Sequence, residues 1–446
     1  MAERNGARET AWRPILPEER AERVLDVVEE MAADVLKTLS EESGTPQEIW
    51  TRRGSGLAGG NSGLAFFFHY PAEARPERGY EETALDLLER AIEGTAELQA
   101  PPGLYGGFSG VAWTLEHLRG RLFEEDEDGE DPGSDVASVL SAFLDRTPWG
   151  LDYDLISGLV GYGVYALERT PLPGGADCLR KVLARLSETA ESRPEGISWR
   201  TTPEIIRPQN REAYPEGNFN LGVAHGVPGV IGFLGEACAE GFEAEARPLL
   251  DGAVAWLLAQ KLPPEAGSVF GYSTAPGHEP SPARLAWCYG DLGIAAALLL
   301  AARAVGQEEW EREALEIARA AAARAPESAG AVDAGICHGT AGISHLFNRL
   351  HQATGDPALR EAARFWLERT LELRKPGEGV GGYPMYVPDA EGTMGWHGDA
   401  GFLTGTAGVG LALLAAASPV EPEWDRVLLS CVRPLTPALS QRERVG

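Results

Sequence analysis

Two cysteines and one histidine have residue types and positions suited to metal chemistry. Cys337 and His338 stand side by side in "GICHGTAGI" (335–343), and Cys288 stands in "WCYG" (287–290). Each cysteine lies two residues before the first glycine of a G-x-x-G pair, so equivalent helix starts would bring the three side chains together. Such ligands suit Zn²⁺, and three of them leave one tetrahedral position free. Two buried small hydrophobic residues and a helix-capping histidine are the alternative, since no C-x-x-C spacing is present.

The G-x-x-G pairs belong to a repeat that must position these side chains. Seven segments share a small or glycine-rich approach, a G-x-x-G pair and then an apolar run typical of a helix. Successive copies lie 47 to 68 residues apart, which leaves room for two helices per unit. The pairs are Gly60 and Gly63, Gly107 and Gly110, Gly158 and Gly161, Gly226 and Gly229, Gly290 and Gly293, Gly339 and Gly342, and Gly405 and Gly408.

Amphipathic helical patterns, such as "EEWEREALEIARAAAARA" (308–325), alternate with these apolar runs. The alternation predicts an outer ring of amphipathic helices around an inner ring of apolar ones. Glycine at each inner helix start permits close backbone approach and a positive φ. Seven hairpins closed in a circle need no caps, so we predict an all-α toroid, with an open solenoid as the alternative. Short extended pieces are expected only in connections at one rim, within 196–209 and 267–276.

Composition limits the class of protein. The 446 residues are 43% hydrophobic, which suits a large core, and a net charge of −28 disfavours nucleic acid and anionic membranes as partners. Neither a signal peptide nor a membrane-spanning apolar stretch is evident, so we expect a cytoplasmic protein without stable membrane insertion. Five sparse cysteines argue against a disulfide framework. Residues 123–135 are predicted to form a solvated loop and residues 431–446 a disordered tail.

Four segments together resemble the lanthionine synthetase C family, the LanC-type cyclases that close thioether rings in lanthipeptides. They are "NLGVAHGVPG", "RLAWCYGDLG", "GICHGTAG" and "GFLTGTAGVGLALL". W-C-Y-G followed at this distance by C-H-G is the most specific feature, and the resemblance extends from about Trp12 to Leu429. It implies a single α/α toroid (barrel) domain over residues 1–430, with seven inner and seven outer helices. It also implies one zinc ion per chain.

The resemblance assigns roles to individual residues. Cys288, Cys337 and His338 would be the zinc ligands. The implied reaction is a Michael-type addition, in which a peptide Cys thiolate attacks dehydroalanine or dehydrobutyrine to give lanthionine or methyllanthionine. His225, in "VAHGVPG", would be the general acid or base, although a helix cap is the alternative for that histidine.

Three further residues match the family's pattern. Asp154, in "LDYDLISG", would orient His225 or take the cysteine proton, unless it is only an N-cap. Arg284 would stabilise the developing enolate oxygen, with a rim salt bridge as the alternative. Tyr289 would hydrogen-bond near the metal or simply pack. Trp287 is assigned to packing, and His397 is left out because it lies out of phase with the ligand positions.

The resemblance also implies partners. The substrate would be a dehydrated precursor peptide, and because almost nothing precedes the first repeat we expect a separate lanthipeptide dehydratase. No P-loop motif is present, so ATP use is not expected. Two other functions stay open. One is a LanC-like zinc protein that binds peptides or adds glutathione-type thiols, and the other is a carbohydrate-active toroid enzyme using Asp154 and Asp399.

Overall fold

Helices account for most of the computed structural model, which describes residues 12–41, 54–123, 131–206, 208, 211–389 and 392–433. Fourteen α-helices lie within these residues. They are α1 (Glu18–Glu41), α2 (Asn61–Ala74), α3 (Tyr80–Leu98), α4 (Phe108–Leu118), α5 (Gly133–Leu144), α6 (Leu159–Arg169), α7 (Gly175–Thr189), α8 (Val227–Ala237), α9 (Glu243–Leu258), α10 (Asp291–Val305), α11 (Glu308–Ala322), α12 (Thr340–Thr354), α13 (Pro357–Glu372) and α14 (Thr406–Ala417).

The helices alternate between an outer and an inner ring, as the sequence predicts. The odd-numbered helices are outer: in α11, for example, the buried side chains form one stripe and charged residues cover the other face. The even-numbered helices are inner, and α14 is buried along its whole length. Each inner helix contacts the next, and α14 contacts α2, so the ring closes. The predicted all-α toroid of seven inner and seven outer helices is confirmed, and the open solenoid is excluded.

Each inner helix begins directly after the first glycine of a G-x-x-G pair. The second glycine is required by close packing: a Cβ on Gly342 would stand 1.8 Å from the backbone oxygen of Ile336. A Cβ on each of the six corresponding glycines would lie within 2.5 Å of the carbonyl oxygen of the residue six positions earlier. The positive φ that glycine permits occurs at only one of the seven first glycines, Gly290, with φ 105°. Close backbone approach is therefore the common reason for the repeat.

This packing makes a stability prediction. Gly342→Ala is expected to lower the free energy of unfolding by about 2 kcal/mol, because a methyl group there must displace backbone atoms next to Cys337. Gly106→Ala is the matched control, since a Cβ at Gly106 has no neighbour within 4 Å and its φ is not positive. Denaturant unfolding of both variants tests the prediction, and equal stabilities would contradict it.

Backbone hydrogen bonds link the loops that precede the inner helices, here called rim loops 1 to 7 in chain order. In each loop the bonded residues lie two or three positions before the first glycine. Seven bonds of 2.8 to 3.4 Å form a closed circle. From amide to carbonyl they join Ala58 to Tyr105, Tyr105 to Ile156, Leu155 to Ala224, Ala224 to Cys288, Cys288 to Cys337, Cys337 to Leu403 and Leu403 to Ala58. The circle holds all seven rim loops at one end of the toroid.

The chain after α14 passes through the interior of the ring. Asp425 is buried and accepts hydrogen bonds from Arg349 of α12, and Arg426 pairs with Glu168 of α6 at 3.0 Å. The Leu428 carbonyl accepts a hydrogen bond of 2.8 Å from the Trp287 indole in rim loop 5. These contacts reach three different repeats, so residues 418–433 fill the ring and support rim loop 5 from inside.

Six short strands form three antiparallel pairs within the described residues. They are β1 (Glu191–Arg193) with β2 (Gly196–Ser198), β3 (Phe219–Asn220) with β4 (Ser273–Thr274), and β5 (Pro384–Pro388) with β6 (Met394–Gly398). β2 and β4 fall in the two segments expected to be extended, while the longest pair, β5 with β6, was not anticipated. A two-stranded unit between α13 and α14 can form only because it packs on the toroid.

Two other expectations involve residues outside the described ranges. Most of the predicted loop at 123–135 lies there, but its end is structured: α5 begins at Gly133, and Asp131 binds the buried Arg169. The predicted tail from 434 onwards also lies outside, and Val432 before it is buried. In the part of the chain that the structure describes, no helix combines the length and apolarity needed to span a membrane.

Candidate metal centre and its neighbours

Rim loops 5 and 6 bring Cys288, Cys337 and His338 together. The potential ligand atoms, two Sγ and one imidazole nitrogen, all lie within 4.8 Å of one another. The backbone circle causes this, because both cysteines occupy the same position before their inner helices and the Cys288 amide donates to the Cys337 carbonyl at 3.3 Å. The three side chains that the sequence analysis selected as ligands therefore form one cluster.

The donor set fits zinc. Ligand atoms around a tetrahedral zinc lie about 3.5 to 3.8 Å apart, so an ion needs only small side-chain shifts to draw this cluster together. The two cysteines are 8% and 9% exposed, and His338 is more exposed than either, so the cluster can be reached from solvent. No other group of three His, Cys, Asp or Glu ligands was found in the described ranges.

The protonation equilibria of the cluster favour one thiolate. A hydrogen bond from the Cys337 thiol and a second from His338 lower the pKa of Cys288 well below its usual value, although burial opposes the shift. The hydrogen bond to Cys288 in turn raises the pKa of His338. The pKa of Cys337 is raised by its hydrogen bond to Cys288, by burial and by the repulsion that a second thiolate would meet from the charge of Cys288. A cation at this position would remove that repulsion and favour both thiolates.

His225 and Asp154 form a second pair in rim loops 4 and 3. The His225 Nδ1 lies 2.5 Å from the Asp154 Oδ2, and the histidine side chain is 41% exposed while the carboxylate is buried. Burial lowers the pKa of His225, but the hydrogen bond and charge of Asp154 outweigh it, so this pKa is raised overall. Asp154 also accepts a hydrogen bond of 2.8 Å from the Ser157 amide, so it both orders its loop and orients His225.

A second carboxyl group, that of Asp152, contributes to the electrostatic field at His225. Burial and the charge of Asp154 raise the pKa of Asp152 to about 6, and its Oδ1 accepts the amide hydrogen of Tyr153 at 2.9 Å. The charge of Asp152 contributes to the raised pKa of His225. Two acidic groups of a single rim loop therefore favour the protonated form of His225, and one of them, Asp154, is hydrogen-bonded to it.

Tyr289 connects the His225 side of the site to Arg284. Its ring centroid lies 6.3 Å from that of His225 and 5.4 Å from that of Tyr272. Its hydroxyl accepts a hydrogen bond of 3.0 Å from the Asn220 amide group. Tyr289 thus packs against aromatic rings and also accepts a hydrogen bond, while a role next to a metal stays a prediction.

Arg284 is held by a tyrosine. The Tyr272 hydroxyl accepts the Arg284 backbone amide at 3.2 Å and lies 3.4 Å from the Arg284 Nε. The guanidinium contributes to the lowered pKa of Cys288, which places its charge near the thiol cluster. Trp287, the neighbour assigned to packing, is 2% exposed.

Besides Asp152, sequence reasoning missed three residues that support the site. Asn220 and Tyr272 orient Tyr289 and Arg284, as described above. Asp333 accepts the Gly335 amide at 3.0 Å and the Tyr386 amide of β5 at 3.1 Å, and thereby ties the loop that carries Cys337 to a strand. Asn220 stands in the quoted segment "NLGVAHGVPG" but has no motif of its own, and Asp333 stands six residues before its glycine. No sequence signal marks Tyr272.

Comparisons with known proteins agree with this architecture. The family description "Lanthionine synthetase C-like protein" matches residues 53–429. The curated "Nisin biosynthesis protein NisC" of Lactococcus lactis subsp. lactis is 28% identical over 300 residues, which are 62% of this chain and 70% of that protein.

A solved structure of "Nisin cyclase" superimposes with a TM-score of 0.70 at 19% identity, covering 93% of this chain and 98% of that one. At this identity the likeness establishes the toroid fold alone. The family match is stronger, because it covers most of the chain and includes every rim loop that contributes a side chain to the site. The chain belongs to the lanthionine synthetase C-like family.

Proposed function

We propose that the protein is a zinc-dependent lanthipeptide cyclase. It would add Cys thiolates of a dehydrated precursor peptide to dehydroalanine or dehydrobutyrine in the same peptide, forming lanthionine or methyllanthionine. The observation that carries the proposal is the cluster of Cys288, Cys337 and His338 beside the His225–Asp154 pair, in a member of the lanthionine synthetase C-like family. The similarity to a nisin biosynthesis protein supports the same substrate class.

Three residues would hold the metal, and one position would remain for substrate. Cys288, Cys337 and His338 supply three ligands, with both cysteines as thiolates. When bound, zinc supplies Lewis-acid activation that lowers the pKa of a peptide thiol near it. Cys288 and Cys337, as two anionic ligands, would balance the charge of the dication, so this activation would not remove the nucleophilicity of a nearby thiolate.

The remaining residues would manage charge and protons during the addition. The substrate sulfur forms a bond to the β-carbon, and the electron pair of the double bond moves to the carbonyl oxygen as an enolate. The Arg284 guanidinium, held by Tyr272, lies near the thiol cluster and would stabilise that oxygen. His225, oriented by Asp154, would then protonate the α-carbon, and the proton released from the thiol balances the one consumed.

Ring closure leaves the peptide mass unchanged, so the test must count thiols. A synthetic peptide with one dehydrobutyrine and one Cys is incubated with the zinc-loaded protein and then treated with a thiol-alkylating reagent. We expect the product to resist alkylation and the chain to carry one zinc. If the alkylatable peptide is lost no faster with the protein than without it, the proposal is refuted. Addition of glutathione to the peptide, seen as a mass increase, would instead support the thiol-adding alternative.

The carbohydrate-active alternative has less support. The Asp154 carboxylate already binds His225, and Asp399 accepts hydrogen bonds from the Thr404 hydroxyl and the Gly401 amide. These two carboxylates stand in rim loops 3 and 7, which are not neighbours in the circle.

The peptide substrate of the proposed cyclase must already have lost water from Ser or Thr. We therefore propose a separate dehydratase as partner and a cytoplasmic location for both proteins.

A further inference from the structure

Exposed apolar side chains are concentrated around the candidate site. In the part of the chain that the structure describes, seven large apolar side chains are strongly exposed, and four of them stand on segments that lead into the site. These four are Leu151 (46% exposed), Val332 (52%), Met394 (49%) and Trp396 (55%). The other three lie on the outer helices α3, α5 and α13. Exposed apolar groups gathered in one region are typical of a binding surface.

Two of the four stand on the β5–β6 hairpin and share one of its faces. Trp396 pairs across the strands with Tyr386, and Met394 pairs with Pro388. The rings of Tyr386 and Trp396 contact each other, with centroids 5.5 Å apart. Met385 points to the opposite face and is fully buried. The hairpin is thus anchored on one side and presents a preformed apolar face, here called the hairpin face, on the other.

The hairpin is joined to the loop that carries two of the candidate ligands. The Tyr386 amide donates to Asp333, whose other carboxylate oxygen accepts the Gly335 amide, two residues before Cys337. The chain that leaves β6 enters rim loop 7, where the Leu403 carbonyl accepts the Cys337 amide at 2.9 Å. The hairpin is therefore linked to the loop that carries Cys337 and His338 along two separate connections.

The charge of this region indicates what can bind there. Between Pro376 and Thr404 the sequence contains four carboxylates and no Lys or Arg, in a chain of net charge −28. An acidic region with an apolar, aromatic centre disfavours anionic ligands. It favours a ligand that has an apolar residue flanked by cationic side chains. An aromatic face can also attract the cations directly.

We propose that the hairpin face binds the precursor peptide through an apolar or aromatic residue with neighbouring Lys or Arg, and so holds the reacting Cys near the metal centre. This inference rests on the proposed function, because it names the part of the substrate that binds outside the reacting atoms. Trp396 is the central contact, and Met394 and Tyr386 complete the surface.

A binding experiment with a non-reacting peptide tests the surface separately from the chemistry. The probe is a fluorescein-labelled peptide containing one dehydrobutyrine, Ser in place of Cys, one Phe and two Lys, titrated into the full-length zinc-loaded protein. Trp396→Ala is expected to weaken binding about tenfold. Trp396→Phe keeps an aromatic ring and is expected to stay within about threefold of wild type. Replacing the two Lys of the probe by Glu is expected to weaken binding about tenfold at low salt.

Phe365→Ala is the matched control, because it removes an exposed aromatic residue from the outer helix α13 and is expected to bind the probe as wild type does. Equal affinity of Trp396→Ala and wild type would overturn the inference, and so would an equal loss in Phe365→Ala. A change from dimer to monomer on Trp396→Ala, seen by sedimentation, would assign the surface to a second copy of the chain instead. Failure of the proposed function would give a different result. The wild type would then bind the probe but would not close rings in the Cys-containing peptide.

Discussion

Replacing any one of Cys288, Cys337 and His338 by Ala is expected to reduce zinc to well below one ion per chain and to abolish ring closure. Structural zinc sites bind with roughly 10 to 16 kcal/mol over four ligands, so losing one ligand costs on the order of 3 kcal/mol, or about a hundredfold in affinity. Elemental analysis after dialysis against a weak chelator measures the occupancy. Thiol alkylation of the peptide product measures the activity.

Cys238→Ala provides the matched control for the ligand variants. Cys238 is half-buried and stands in the turn after α8, away from the rim loops, so its loss is expected to leave both zinc and ring closure unchanged. Full zinc occupancy in all three ligand variants would remove the cluster from the proposal. A loss confined to one or two of them would mean that the ligand set is wrong.

The second large effect is expected at His225. His225→Ala should keep its zinc, because the histidine belongs to the pair with Asp154 and not to the thiol cluster, and should lose about 10² to 10⁴ in kcat as general acid catalysis is removed. His351→Ala is the control, since this histidine lies near the end of α12, about 16 Å along that helix from its start beside His338. A His225→Ala protein that cyclises normally would exclude the histidine from the mechanism.

The pH dependence of kcat tests the role of His225 more closely. A general acid must be protonated, so the rate should fall as pH rises through the pKa of His225, which the hydrogen bond and charge of Asp154 raise above its ordinary value. Asp154→Asn removes that charge and should move the fall to lower pH while zinc is retained. An unchanged alkaline limb in Asp154→Asn would mean that another group donates the proton.

Much of the site could be predicted because it is built on a repeat. Cys288 and Cys337 stand two residues before their first glycines, and His225, Tyr289 and His338 stand one residue before theirs. Once seven equivalent helix starts are closed into a circle, residues at equivalent positions become neighbours. Local spacing therefore predicted that the three side chains meet but left open buried cysteines with a capping histidine, and the family resemblance supplied the ligand roles.

The repeat uses mainly one of the two properties that the sequence analysis named for glycine at the inner helix starts. The positive φ that glycine permits occurs at only one of the seven first glycines, Gly290. Close backbone approach is the common requirement, and it falls on both glycines of each pair. A Cβ on any of the seven first glycines would stand within 2.5 Å of a backbone atom, and a Cβ on the second would meet the preceding loop, as at Gly342 and Ile336. A sequence records that glycine is needed but not which of its two properties is used.

Contacts between residues far apart in the chain could not be predicted from the sequence. Asn220 reaches Tyr289 across 69 positions, Asp333 reaches the hairpin at Tyr386 across 53, and Asp425 reaches Arg349 across 76. Each is a single polar contact without a periodic pattern, and its geometry exists only after the ring has closed. The β5–β6 hairpin was missed for the same reason, since two short strands with glycines become stable only against the toroid.

The helical class, the sevenfold repeat and the candidate ligands are predictable from the sequence, because periodicity and position relative to glycine are properties of short segments. Only the folded chain shows that the C-terminal segment fills the ring, that Tyr272 holds Arg284, and that an exposed aromatic hairpin is linked to the loop of the candidate metal centre. Those features depend on which surfaces meet when the ring closes, and this is set by the packing of the whole chain rather than by any segment of it.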